Sequence, residues 1–134
     1  MVTGKPFDVE IVTPERLVFE GKVDSVTVPG THTPFQMLYN HAAIVSELGI
    51  GAIELTDAQG KHHLYATSGG FVQMLNNKAS IVVESAEESG SIDVQRAQEA
   101  RKRAEERLAR RSGFDAKRAE LSLARALNRL KLAK

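Results

Sequence analysis

The chain has 134 residues, 42% of them hydrophobic, and its 18 Lys and Arg nearly balance 17 Asp and Glu, giving a net charge of +1. This is an ordinary globular composition, and the absence of cysteine excludes disulfides, thiolate metal ligands and a thiol nucleophile. No run of about 18 apolar residues appears, so no membrane-spanning segment is expected, and the opening "MVTGKPFDVE" lacks the apolar centre of a signal peptide.

Residues 7–13, "FDVEIVT", place Phe7, Val9 and Ile11 on one face and Asp8 and Glu10 on the other, the two-residue period of a half-buried strand. "RLVFE", "KVDSVTV", "FQML", "AIELT", "HHLYAT", "GFVQML" and "ASIVVE" are similar short runs. Turn signals fall between them at Pro14-Glu15, Glu20-Gly21, Pro29-Gly30, Asp57 to Gly60, Ser68-Gly69-Gly70 and Asn76-Asn77. Many short strands at close spacing predict an antiparallel β-sandwich or flattened barrel over residues 1–90.

Composition changes sharply near Gly90. Residues 1–90 carry five Lys/Arg and eleven Asp/Glu, a charge of −6, whereas residues 91–134 carry thirteen and six, a charge of +7. The second part reads as a two-helix antiparallel hairpin. Ser91 is a candidate N-cap, with Asp93 in the first turn. Ala97, Ala100, Ala104 and Leu108 recur at steps of three and four. Arg110, Arg111 and Gly113 suit the end of the first helix, and Asp115 can cap the second. On that helix Ala116, Ala119, Leu123, Ala126, Leu130 and Ala133 recur at the same steps, with Leu127 widening the stripe.

An alanine seam lets helices approach closely but buries little. One methyl is worth about 0.8 kcal/mol and ordering one residue costs about 1–2 kcal/mol. The hairpin is therefore expected to be marginal alone. It reads either as a mobile element that chooses between docking surfaces or as a fixed cap on the sandwich. Arg125 and Arg129, four apart, share a face of the second helix, and Arg96 and Arg103 share a face of the first. They form either an anion clamp or a solvated basic face.

Other chemistry is sparse. His62 and His63 are adjacent on a strand and point to opposite faces, so they cannot bind one metal together. His32 and His41 have no neighbouring carboxylate cluster, and "TSGG" around Ser68 fits neither a nucleophile elbow nor a P-loop. No constellation supplies a nucleophile, a base and an oxyanion site together, so no enzymatic activity and no required cofactor or metal are expected.

Several stretches in order resemble the epsilon subunit of F-type ATP synthases over nearly the whole chain: "FDVEIVTPERLVFEGKVDSVTVPG", "NHAAIVSELGIG", "SGGFVQMLNNKASIVVESAE", "IDVQRAQEARKRAEERL" and "KRAELSLARALNRLKLA". At "THTPFQML" the chain departs from the glycine-and-glutamate stretch of many members, in the region that meets the rotor ring. The resemblance implies a sandwich of about ten strands followed by a helical hairpin. It implies a non-catalytic, peripheral subunit on the cytoplasmic face of the bacterial plasma membrane, bound to the gamma subunit and c-ring of the central stalk. There the sandwich helps couple proton flow to ATP synthesis, and the hairpin extends toward the catalytic alpha and beta subunits to inhibit ATP hydrolysis. Some bacterial members bind ATP through an I/L-D-x-x-R-A motif, present here as Ile92-Asp93-Val94-Gln95-Arg96-Ala97. By the same resemblance Glu87, Arg103, Arg125 and Arg129 join the nucleotide site, with adenine at Ile92 and Asp93 and phosphates at the arginines. The alternative from the residues themselves is a nucleic-acid-binding module using the thirteen cationic side chains of the tail. The acids interspersed there, and an acidic sandwich, weigh against it.

Overall fold

The alternating stretches become paired strands in the computed structural model, which describes residues 5–110 and 113–133, without the side chains of 113–115. The strands are β1 (Phe7–Val12), β2 (Leu17–Val28), β3 (Phe35–Met37), β4 (Ile44–Asp57), β5 (His62–Leu75), β6 (Lys78–Val83) and β7 (Ala86–Glu88). A 3-10 turn at Ser89–Ser91 leads to α1 (Val94–Arg110) and α2 (Gly113–Leu132). The chain divides into two compact units, Met1–Glu88 and Ser89–Lys134.

In the first unit the hydrogen-bonded order is β1-β6-β5-β4-β2-β3, with β7 beside β5, and β1 also pairs with β2. That last pairing closes a ring of five strands, so the sandwich is also a flattened barrel. Closure leaves few open strand edges. All pairings are antiparallel except β1 with β6, which is parallel and runs from Asp8↔Lys78 to Val12↔Val82.

The described residues form seven strands, roughly consistent with the sandwich of about ten implied by the family resemblance, since three of them are long and bend part-way. In β5 the three consecutive residues Tyr65, Ala66 and Thr67 are buried before Gly69-Gly70, and burial alternates at Val72 and Met74 after them, so the strand changes its burial pattern at the glycines. The buried parity of β4 flips between Leu48 and Ile53. β2 flips where its register with β4 shifts between Val23 and Ser25, since Val23 and Ser25 are buried on one side and Val26 and Val28 on the other. Each bend carries one strand from one wall of the sandwich to the other. The turns expected at Glu20-Gly21 and Ser68-Gly69-Gly70 therefore lie inside strands. Gly69 has φ +112, and a Cβ on Gly70 would stand 2.1 Å from the Val82 carbonyl oxygen, so only glycine fits this corner.

The inward positions form one core that includes Phe7, Val9, Ile11, Val26, Ile53, Val72 and Ile81, each at most 1% exposed. Phe7, Val9 and Ile11 are the face read from the sequence alternation.

In the second unit the cap is Asp93, not Ser91. The Arg96 N–H donates to Asp93 Oδ1 at 3.0 Å, and the Ala97 N–H donates to the Asp93 carbonyl at 3.0 Å. Ser91 belongs to the preceding 3-10 turn. Asp prevails because its carboxylate reaches the N3 amide and favours the positive helix end. α2 already includes Gly113, so Gly113 opens the second helix and Asp115 lies within it rather than capping it. Arg111, expected at the end of α1, lies outside the described residues.

Candidate functional site

The two helices meet through alanine. Ala97 and Ala104 of α1 and Ala119 and Ala126 of α2 are 0, 1, 1 and 2% exposed. In each helix the pair is seven residues apart, two turns, so both fall on one line. With only two residues between α1 and α2, helices packed along their length run antiparallel. Alanine at these four buried positions permits a short interaxial distance and contributes only methyl burial. The leucines read as part of the stripe, Leu108, Leu123 and Leu130, are partly buried, and Leu127 is exposed.

Each buried alanine is preceded by arginine: Arg96-Ala97, Arg103-Ala104, Arg118-Ala119 and Arg125-Ala126. One residue back is about 100° round the helix. Between antiparallel helices, flanks of the same rotational sense come to the same side of the contact. Arg96, Arg103, Arg118 and Arg125, all exposed, therefore line one side of the hairpin. Arg129, three residues beyond Ala126, lies on that side closer to the seam and is partly buried. The structure thus brings together four arginines identified from sequence (Arg96, Arg103, Arg125 and Arg129) and adds Arg118. The Arg-Ala dipeptide repeat was the available signal for Arg118, legible only once the buried alanines are known.

The remaining sequence-derived candidates are divided between the units. Ile92 is 8% exposed, Asp93 is the exposed helix cap and Ala97 is sealed in the seam. Ala97 therefore acts by letting α2 approach. Its side chain offers a ligand no free surface. Glu87 is in β7 of the sandwich, paired with Ala66 and half-buried. Guanidinium groups ranged along one side suit a polyanion with several oxygens, because each presents a planar fork of donors.

The sandwich holds one further polar arrangement. His63 Nε2 lies 3.0 Å from Asp57 Oδ2, with side chains only 14% and 15% exposed, and the His63 ring meets Phe19 edge-on at 5.3 Å between centroids. Asp57 Oδ1 accepts the N–H groups of Gln59 and Lys61, each at 2.9 Å. The hydrogen bond with His63, followed by that from the Lys61 amide, holds the Asp57 carboxyl below its usual range. This closes the β4–β5 turn. His62 points elsewhere, 3.1 Å from Thr56 Oγ1, and no metal-ligating group of three occurs among the described residues.

A β-sandwich followed by a two-helix unit is the architecture of one family of rotary-motor subunits. Residues 6–89 match the model of the ATP synthase delta/epsilon chain β-sandwich domain, and residues 91–134 match that of its long α-helix domain. Among relatives, the ATP synthase epsilon chain of Desulfitobacterium hafniense is 41% identical over 128 residues, covering 96% of each chain. That of Bacillus pumilus is 41% identical over 129 residues, covering 96% of this chain and 98% of its own. The fold is shared with a chain in the cryo-electron microscopy structure of the Euglena gracilis mitochondrial ATP synthase, OSCP/F1/c-ring in rotational state 1. The TM-score is 0.81 at 19% identity, over 89% of this chain and 76% of that one. The chain belongs to the ATP synthase epsilon-chain family. No helix among its described residues is long and apolar enough to cross a membrane.

Proposed function

We propose that the chain is the central-stalk subunit of a proton-translocating F-type ATP synthase, bound to the gamma subunit and c-ring, and that its hairpin restrains ATP hydrolysis by the alpha and beta subunits. It works peripherally on the cytoplasmic face of a bacterial plasma membrane. The observation that carries the regulatory half of this reading is the one-sided row of arginines beside a seam whose four most deeply buried described residues are alanines. A weakly held helix pair with a cationic side can be held closed by an anion or drawn out by an acidic partner surface.

ATP is the anion proposed. Arg96, Arg103, Arg125 and Arg129 take the phosphates and Ile92 and Asp93 meet the adenine. A ligand that binds only the closed hairpin stabilises it by about 2.7 kcal/mol at a hundredfold excess over its Kd. That is comparable to the few methyls the seam buries, so ATP occupancy is enough to shift the hairpin between states. Family membership favours this reading over nucleic-acid binding by the same cationic face.

The test is calorimetric titration of the isolated chain with ATP beside Arg125→Ala and Arg129→Ala. Heat of binding in the wild type that is lost in both variants is expected. No heat at millimolar ATP would remove the sensor while leaving the rotor role intact.

A further inference from the structure

After its glycine corner β5 runs in one wall of the sandwich with the start of β4, with β6 and β1, and with the start of β2. Inward positions of this wall, such as Val72, Ile81 and Ile11, belong to the core. The outward positions fall in register across it. One row runs Glu47, Phe71, Val82, Val12 and Leu17, each paired with the next. The row beside it runs Val45, Gln73, Ser80, Glu10 and Glu20, and a third runs Leu75, Lys78, Asp8 and Lys22. The solvated face of such a sheet is ordinarily polar. Here Val45, Phe71, Leu75 and Val82 are 70, 57, 47 and 54% exposed, and of the exposed large apolar side chains described in this unit only Leu38 lies off these rows. An apolar patch rimmed by polar groups marks an interaction surface.

The rim of the patch is acidic. Glu47 ends the first row, Glu20 ends the second, and Glu84 stands two residues beyond Val82. All three are exposed, and none is in an ion pair among the described residues. Glu10 and Glu20 face each other directly across β1 and β2, a like-charge pair that costs stability. The cations of the face are already committed, Lys22 to Asp8 at 3.1 Å and Lys78 to Glu10 at 3.7 Å. A local rule broken beside exposed apolar side chains points to cations brought from outside. Because β1, β5 and β6 each have a hydrogen-bonded neighbour on both sides, the face offers side chains and no free backbone ladder. That suits a folded element rather than an extended chain. Four strand-to-strand steps of about 4.8 Å make the first row about 19 Å long, roughly thirteen residues of helix.

We propose that this outward face is a docking surface for a helical segment of another protein, one that carries an apolar ridge bordered by lysine or arginine. The ridge covers Val45, Phe71 and Val82, and the bordering cations meet Glu47, Glu84 and Glu20. The chemistry of the segment follows from the face. For the protein that carries it, the inference rests on the rotor reading above, in which the sandwich is bound to the gamma subunit.

The test is the affinity of the full chain for the complex of alpha, beta and gamma subunits depleted of it. Phe71→Ser and Val82→Thr change outward, exposed side chains and leave the core intact, so both variants should fold as the wild type does. Phe71→Ser should weaken binding at least about tenfold, as loss of a buried aromatic anchor does. Leu38→Ser, off these rows, should bind as the wild type does. Wild-type affinity should fall as salt is raised, and less steeply once Glu47→Gln and Glu84→Gln are combined. Unchanged affinity in Phe71→Ser and Val82→Thr overturns the docking surface. Weakening by the apolar changes with no change in salt dependence overturns the basic border. A wild-type chain that sediments as a dimer, where Phe71→Ser does not, makes a second copy the occupant and overturns the proposal. A wild-type chain that fails to bind the complex refutes the rotor reading, and this assignment with it.

Discussion

The alanine seam yields a quantitative comparison between two substitutions of identical chemistry in one helix. Ala126 is 2% exposed, whereas Ala124, two residues earlier in α2, faces solvent. Replacing either by glycine costs about 1 kcal/mol of helix propensity. Ala126→Gly removes in addition one buried methyl, about 0.8 kcal/mol. Local opening should therefore increase roughly 5-fold for Ala124→Gly and roughly 20-fold for Ala126→Gly, taking tenfold per 1.4 kcal/mol. The four seam methyls together supply about 3 kcal/mol beside the partly buried leucines, so the second change is a large share of the alanine contribution. Amide exchange of the helical segments reads this directly, with core strands β5 and β6 as the internal standard. Equal acceleration by the two variants would mean that the seam does not hold the pair. Acceleration spreading to β5 and β6 would mean that the two units do not open separately.

Gly70→Ala should be severe, because its Cβ would meet the Val82 carbonyl oxygen at 2.1 Å and the Val83 Cα at 2.7 Å. Chemical denaturation should show a loss of about 4 kcal/mol or more, or no folded sandwich at all. The lowered carboxyl of Asp57 contributes stability that is present above the unfolded carboxylate value of about 3.9 and is lost as pH falls through the lower folded value. Asp57→Asn should flatten that acid limb in denaturation midpoints measured from pH 5 down to 2, and a limb of unchanged steepness would assign it to other carboxylates.

Much of the fold was legible because the alternation is clean where a strand keeps one face inward. Phe7, Val9 and Ile11 illustrate this, and Asn76-Asn77 marked its turn correctly. The misread places were glycine signals inside strands. Ser68-Gly69-Gly70 marks a corner at which β5 bends and continues, and Glu20-Gly21 lies within the regular β1–β2 pairing. Sequence reading of a single strand cannot register a bend shared by two. The helix cap was misplaced by two residues because Ser91 and Asp93 are both good caps, and the 3-10 turn that consumes Ser91 has no separate signature. In the hairpin the arginines were found by residue spacing, but Arg118 was missed. Choosing the seam required knowing that Ala119 rather than Ala116 is sealed, which depends on the partner helix. Asn40 and Asn77, 37 residues apart, are joined through their side chains, and this left no pattern in either segment.

The central claim is that the sandwich anchors this subunit while a weakly seamed cationic hairpin governs hydrolysis. It is tested most directly by the ATP hydrolysis rate of the complex reconstituted with the full chain or with residues 1–90 alone. The account predicts that both forms bind and that the truncated form gives the faster hydrolysis, with the difference narrowing as ATP is raised. Equal rates with both chains bound, at low and at high ATP, would contradict it.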